Sequence, residues 1–111
     1  MIKQDFKCAL STAVFTTRFV VNQGKPITIV LHELNDGNWK FLSKEDSHTS
    51  REGLVMIPLQ EILMIDPTIA EIAHMSEGNI AIRNFIGDDW KIAPISYQTP
   101  SPSKPKLAVS T

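Results

Sequence analysis

The chain reads as a single α+β domain over residues 1–94: a mostly antiparallel sheet with two short helices packed on one face. A flexible Pro/Ser/Lys tail follows over residues 95–111. Three observations predict this. Apolar, β-branched segments recur between turns rich in Gly and Asp, as in strands joined by hairpins. The stretch Leu59 to Met75 instead carries apolar residues at helical spacing on both sides of an Asp66-Pro67 joint. From Ile95 onward, prolines, serines and lysines alternate with little to pack. A length of 111 residues suits one domain.

Phe6 to Leu10 reads as the first strand, bounded by Ser11 and Thr12. Phe15 to Val21 is β-branched and aromatic and favours a second strand; its apolar run also fits a short helix. Gly24-Lys25-Pro26 marks a turn. Ile27 to Leu34 is the strongest strand, and its near-continuous apolar character implies a central position. Asn35 to Asn38 is a hairpin turn in which Asp-Gly supplies the positive φ. Trp39 to Leu42 returns, with Trp39 and Phe41 on one face and Lys40 on the other. Ser43 to Glu52 is polar without period, a surface loop.

Gly53 to Ile57 is another strand, and Pro58 opens the first helix, where its missing N–H costs nothing. Leu59, Ile62 and Leu63 share a helix face. A residue before proline avoids the α region, so this helix ends near Ile65. Asp66 then caps the second helix, Pro67 pre-sets its φ, and Ile69, Ile72 and Ala73 form its apolar face. Gly78 is a left-handed cap. Asn79 to Phe85 alternates as a strand, Ile80 and Ile82 against Ala81 and Arg83. Gly87-Asp88-Asp89 turns the chain, Trp90 to Ala93 returns, and the domain ends near Pro94.

Composition narrows the function classes. A net charge of −1 provides no field to gather nucleic acid or an anionic membrane, and neither partner is expected. Cys8 is the single cysteine, so the chain cannot form an internal disulfide or a thiolate-rich zinc site. It is expected to act as a small buried hydrophobe. A chain without a disulfide framework fits a reducing cytoplasm, and the N-terminal residues lack the sustained apolar run of a signal peptide. No segment approaches the apolar length of a membrane-spanning helix.

The chemistry-bearing residues form no familiar catalytic pattern. His32, His48 and His74 fall on a strand, a loop and a helix end, without an i,i+4 pair, and no metal or cofactor is expected. His32 beside Glu33 outlines a pocket for a small-ligand or enzymatic domain, although adjacent strand residues point to opposite faces. Glu45-Asp46 and Asp88-Asp89 are assigned to loop solubility and turn chemistry; neither has calcium-loop spacing. No nucleophile elbow or phosphate-binding glycine loop occurs, and no catalytic residue is assigned. Trp39 and Trp90 both follow turns, as core residues or as exposed binding edges. An acidic loop beside an aromatic complements a basic target, so Trp39, Glu45 and Asp46 are the candidate partner-binding residues. Ser101-Pro102, after Pro100, reads as part of an unstructured end. Strand edges leave homodimerisation as a further expectation.

Three segments carry a resemblance: WKFLSKED (Trp39 to Asp46), VMIPLQEILMIDPTI (Val55 to Ile69) and EGNIAIR (Glu77 to Arg83). They resemble a bacterial family of small domains of unknown function, the immunity protein 33-like family, grouped with the immunity proteins of polymorphic toxin systems. That family runs from a Cys-containing strand through a GWRF-SGDE segment to DPSI and GSAFER. The matching positions are Asn38-Trp39-Lys40-Phe41, Ser43-Lys44-Glu45-Asp46, Asp66-Pro67-Thr68-Ile69 and Gly78-Asn79-Ile80-Ala81-Ile82-Arg83. The resemblance spans Cys8 to Ala93. Lys44, His48 and Arg51 dilute the family's acidic loop. It implies a non-enzymatic, cytoplasmic protein-binding domain that neutralises a cognate toxin by occluding its surface.

Overall fold

Among the residues described by the computed structural model, 6–44 and 54–95, six strands form one sheet. They are β1 (Ala13–Thr17), β2 (Ile29–His32), β3 (Trp39–Leu42), β4 (Leu54–Pro58), β5 (Asn79–Ile82) and β6 (Lys91–Pro94), in the order β4-β1-β3-β2-β5-β6. β1 and β3 run parallel, and the other neighbours are antiparallel. The fold is α+β with a mostly antiparallel sheet, and the apolar β2 lies inside it, as its sequence predicts.

Register decides which side chains meet. His32 lies opposite Trp39, and Val30 lies opposite both Phe41 and Ala81, so these five share a face. The pairing of Phe15 with Lys40 places Val14 and Thr16 on that same side. Val14, Val30, Phe41 and Ala81 are completely buried there. They join one core with Leu59 and Ile62 of α2 (Leu59–Ile65) and with Ile69 and Ile72 of a 3-10 helix (Pro67–Ile72). Thr16 tolerates burial because its hydroxyl donates to the Phe41 carbonyl at 2.7 Å.

Several boundaries differ from expectation, each for a local reason. Phe6 to Leu10 is not a strand. Its neighbourhood serves α2 instead: the carbonyls of Leu10 and Thr12 accept from Gln60 and Leu59 at 2.9 and 2.8 Å. Pro58, the residue before α2, makes no side-chain cap, so these carbonyls satisfy helix-start N–H groups that would otherwise lack a partner. Phe15 to Val21 divides into β1 and α1 (Arg18–Gln23). Thr17 Oγ1 accepts from Val20 N at 3.3 Å and starts the helix, and Gly24, at φ 69°, ends it.

The second predicted helix is a 3-10 helix. Gly78 does not cap it: the helix ends at Ile72 with Ala73 as C-cap, and Gly78, at φ 87°, lies in the turn leading to β5. The strand expected over Asn79 to Phe85 stops at Ile82. The Asp-Gly turn is wider than a two-residue hairpin. Glu33 N donates to the Asn38 carbonyl at 2.8 Å across residues 34–37, and Asp36 accepts from Asn38 N at 3.0 Å. The Ser43–Glu52 loop beyond Lys44, with His48, and the tail beyond Ile95 lie outside the described residues.

Candidate functional site

Two polar constellations occupy the helix-covered side of the sheet. The first joins Asp66 and Arg83, which are each 3% exposed. Asp66 caps the 3-10 helix through Thr68 N at 3.0 Å and also receives the Thr68 hydroxyl at 2.6 Å. Its other oxygen receives Arg83 Nη2 at 2.6 Å. Arg83 further donates from Nε and Nη2 to the Ile27 carbonyl at 3.1 and 3.0 Å, and from Nη1 to Thr68 Oγ1 at 2.9 Å. Its guanidinium lies 4.1 Å from the centre of the Trp90 ring. Charge, donors and acceptors are matched within the group, so its role is structural. Asp66 is therefore more than a cap. The pair ties the start of the 3-10 helix to the residue that follows β5. Trp90 Nε1 is buried and makes no hydrogen bond.

The second constellation is an open cleft of about 630 Å³ at the β2–β3 hairpin end of the sheet. β2 ends with His32 and β3 begins with Trp39, opposite each other in register. Their rings stack at 3.8 Å between centroids and 14° between planes. Phe6 meets Trp39 edge-on, at 5.0 Å between centroids. His32 Nδ1 lies 2.8 Å from the Met75 carbonyl. A carbonyl accepts only, so Nδ1 is the donor, and in the tautomer with a single ring proton Nε2 then bears the lone pair. Nε2 has no hydrogen-bond partner among the described residues. Cys8, half-buried, lines the same cleft, with the exposed Lys7, His74 and Glu77 at its rim.

The candidate residues from sequence distribute unevenly around this cleft. Trp39 lines it but is 6% exposed, a core residue with its ring in the wall rather than an exposed anchor. His32 lines it, whereas Glu33 pairs with Lys40 at 3.2 Å. Lys40 belongs to the opposite face, so His32 and Glu33 do not share a pocket. Glu45 and Asp46 lie outside the described residues; β3 carries Leu42 about 10 Å from Trp39, toward the sheet end away from the cleft. Cys8 lines the cleft as well as packing against the core, which extends its expected role as a small hydrophobe.

Sequence reasoning missed the Met75 carbonyl, 43 residues from His32, and the gathering of Lys7, Cys8 and Glu77. No local pattern signals contacts of that separation. Asp88 does what turn chemistry predicts: it accepts from Asn84 N at 2.9 Å, Asn84 Nδ2 at 3.1 Å and Asp89 N at 2.9 Å. These bonds, led by the Asn84 backbone N–H, hold its carboxyl below the ordinary 3.8. Among the described residues, no cluster of three His, Cys, Asp or Glu is placed to hold a metal ion, and no helix is long and apolar enough to cross a membrane. The chain matches no protein-family model, no curated protein and no solved structure.

Proposed function

We infer that the domain is a non-enzymatic protein-binding module that seats a protruding group of its partner in the His32–Trp39 cleft. One observation carries this reading. His32 is fixed by the Met75 carbonyl and the Trp39 ring, yet its Nε2 acceptor has no partner among the described residues. An aromatic wall with one available acceptor, in a cleft open to solvent, suits recognition of a ligand group. Lys7 and Glu77 add one charge of each sign at the rim. The resemblance to immunity proteins supplies the partner class, a cytoplasmic toxin neutralised by occlusion. In that setting Trp39 forms the wall of the site.

The test is co-expression with the products of neighbouring genes, followed by capture on the tagged full chain. One product should be retained and its toxicity suppressed. His32→Ala should lower capture at least about tenfold, a loss of about 1.4 kcal/mol in binding. A chain that captures no neighbouring product, and protects against none, contradicts the reading.

A second reading rests on Cys8 and His32 lining one cleft: a small-ligand or enzymatic site, without Glu33. Phenol is a suitable probe, because its hydroxyl can donate to His32 Nε2. Saturable binding of phenol that His32→Ala abolishes, by a chain that captures no neighbouring product, would favour this reading over the first.

A further inference from the structure

The two faces of the sheet differ in what covers them, although both are apolar. Apart from the charged Lys40 and Lys91, the side opposite the helices is built largely from apolar residues, such as Phe15, Leu31, Leu42, Ile80, Ile82 and Met56. Met56 is 60% and Ile82 46% exposed, while Phe15, Leu31, Leu42 and Ile80 are half-buried. An antiparallel sheet with one face in water ordinarily alternates apolar residues inward and polar residues outward. β2 breaks that rule: Ile29 and Leu31 face outward while Val30 faces the core.

We propose that this open face is the seat of a second copy of the same chain, giving a two-fold dimer in which the two sheets pack face to face. Three observations choose a second copy as the occupant. The chain's net charge of −1 sets up little repulsion between copies. Lys40 on this face is already neutralised by Glu33 at 3.2 Å, so the middle of the face presents no unpaired charge to its twin. The area is near the lower limit for a dimer: five inter-strand spacings of about 4.8 Å and strand lengths of about 15 Å give roughly 24 by 15 Å per copy, before side-chain corrugation is counted. Two corrugated faces of that size approach the roughly 1,000 Å² of accessible surface that a specific interface requires.

The chain's own tail is a poor match for this area. Residues 96–111 offer Tyr97, Leu107 and Val109 as their larger apolar side chains, against a face six strands wide. Edge pairing is also disfavoured at β6, where Lys91 and Pro94 blunt the strand. Homodimerisation therefore moves from the edge, where the sequence places it, to the face. The His32–Trp39 cleft belongs to the opposite side and stays open in the dimer.

Light scattering on the full chain at about 100 μM, well above the micromolar constants of modest interfaces, tests the proposal. The expected mass is twice the 12.4 kDa of one chain. The double variant Met56→Lys/Ile82→Lys places charge at two exposed positions and should raise the dissociation constant at least 100-fold with an unchanged far-UV spectrum. A wild-type monomer at that concentration overturns the proposal. So does a double variant that remains dimeric. A Leu107→Ser/Val109→Ser variant that dimerises where the wild type does not also overturns it, by assigning the face to the tail.

Discussion

Asp66–Arg83 and His32–Trp39 sit on the same side of one sheet and are built from similar parts: a polar side chain, a backbone carbonyl and an aromatic ring. They differ in completion. Arg83 spends donors on Asp66, Thr68 and the Ile27 carbonyl, and its flat face lies on Trp90. His32 satisfies one nitrogen, stacks one face and leaves the other nitrogen without a partner among the described residues. A buried polar group that is fully matched stabilises and specifies the fold. One that is held in place but incompletely matched is prepared to bind. The first group fixes the fold; the proposed recognition belongs to the second.

The largest test of that contrast is Asp66→Ala. As a helix cap alone, Asp66 contributes roughly 1 kcal/mol. As the partner of a buried guanidinium, its removal leaves Arg83 uncompensated and should cost about 3–5 kcal/mol in denaturant unfolding. A loss near 1 kcal/mol would reduce the ion pair to a spectator. Trp90→Phe probes the same region with a smaller effect. It removes the buried Nε1–H that has no acceptor and keeps a ring over Arg83, so stability should hold or rise by up to about 1 kcal/mol. A loss above about 2 kcal/mol would mean that packing of the larger ring dominates.

Asp88 gives the smallest effect, in an exposed turn. Its folded carboxyl titrates below the ordinary 3.8, because Asn84 and Asp89 N–H groups favour the charged form. The stabilisation is therefore present above the unfolded value and is lost as pH falls through the folded one. The stability difference between wild type and Asp88→Asn should shrink in acid below the ordinary carboxylate range. NMR titration of the Asp88 carboxyl should show the depressed midpoint directly; an ordinary midpoint would contradict the turn bonding.

What the sequence made legible was chiefly local. Trp39 to Leu42 alternates cleanly and forms β3 over those residues. The Asp66-Pro67 joint separates two helical segments because proline excludes the α region at Asp66, whose φ is −148°. Where two local solutions are close in energy, tertiary contacts decide. The run Phe15 to Val21 suits strand and helix alike, and the Thr17 hydroxyl marks the change from one to the other. The polarity of Arg83 argues against burial, and only Asp66, 17 residues earlier, together with the Ile27 carbonyl, makes it favourable. The cleft was half legible: Trp39 and His32 stood out by type, but their stacking and the Met75 carbonyl arise from strand register and chain return.

The most direct measurement compares stability and binding in His32→Ala. If His32 is a recognition group held by the fold, the substitution should cost about 1–3 kcal/mol in denaturant unfolding, one hydrogen bond and one ring contact. Capture of the partner by the full chain should fall at least about tenfold. Unfolding that weakens by about 3 kcal/mol or more while capture is unchanged would place His32 with Asp66 and Arg83 among the structural residues.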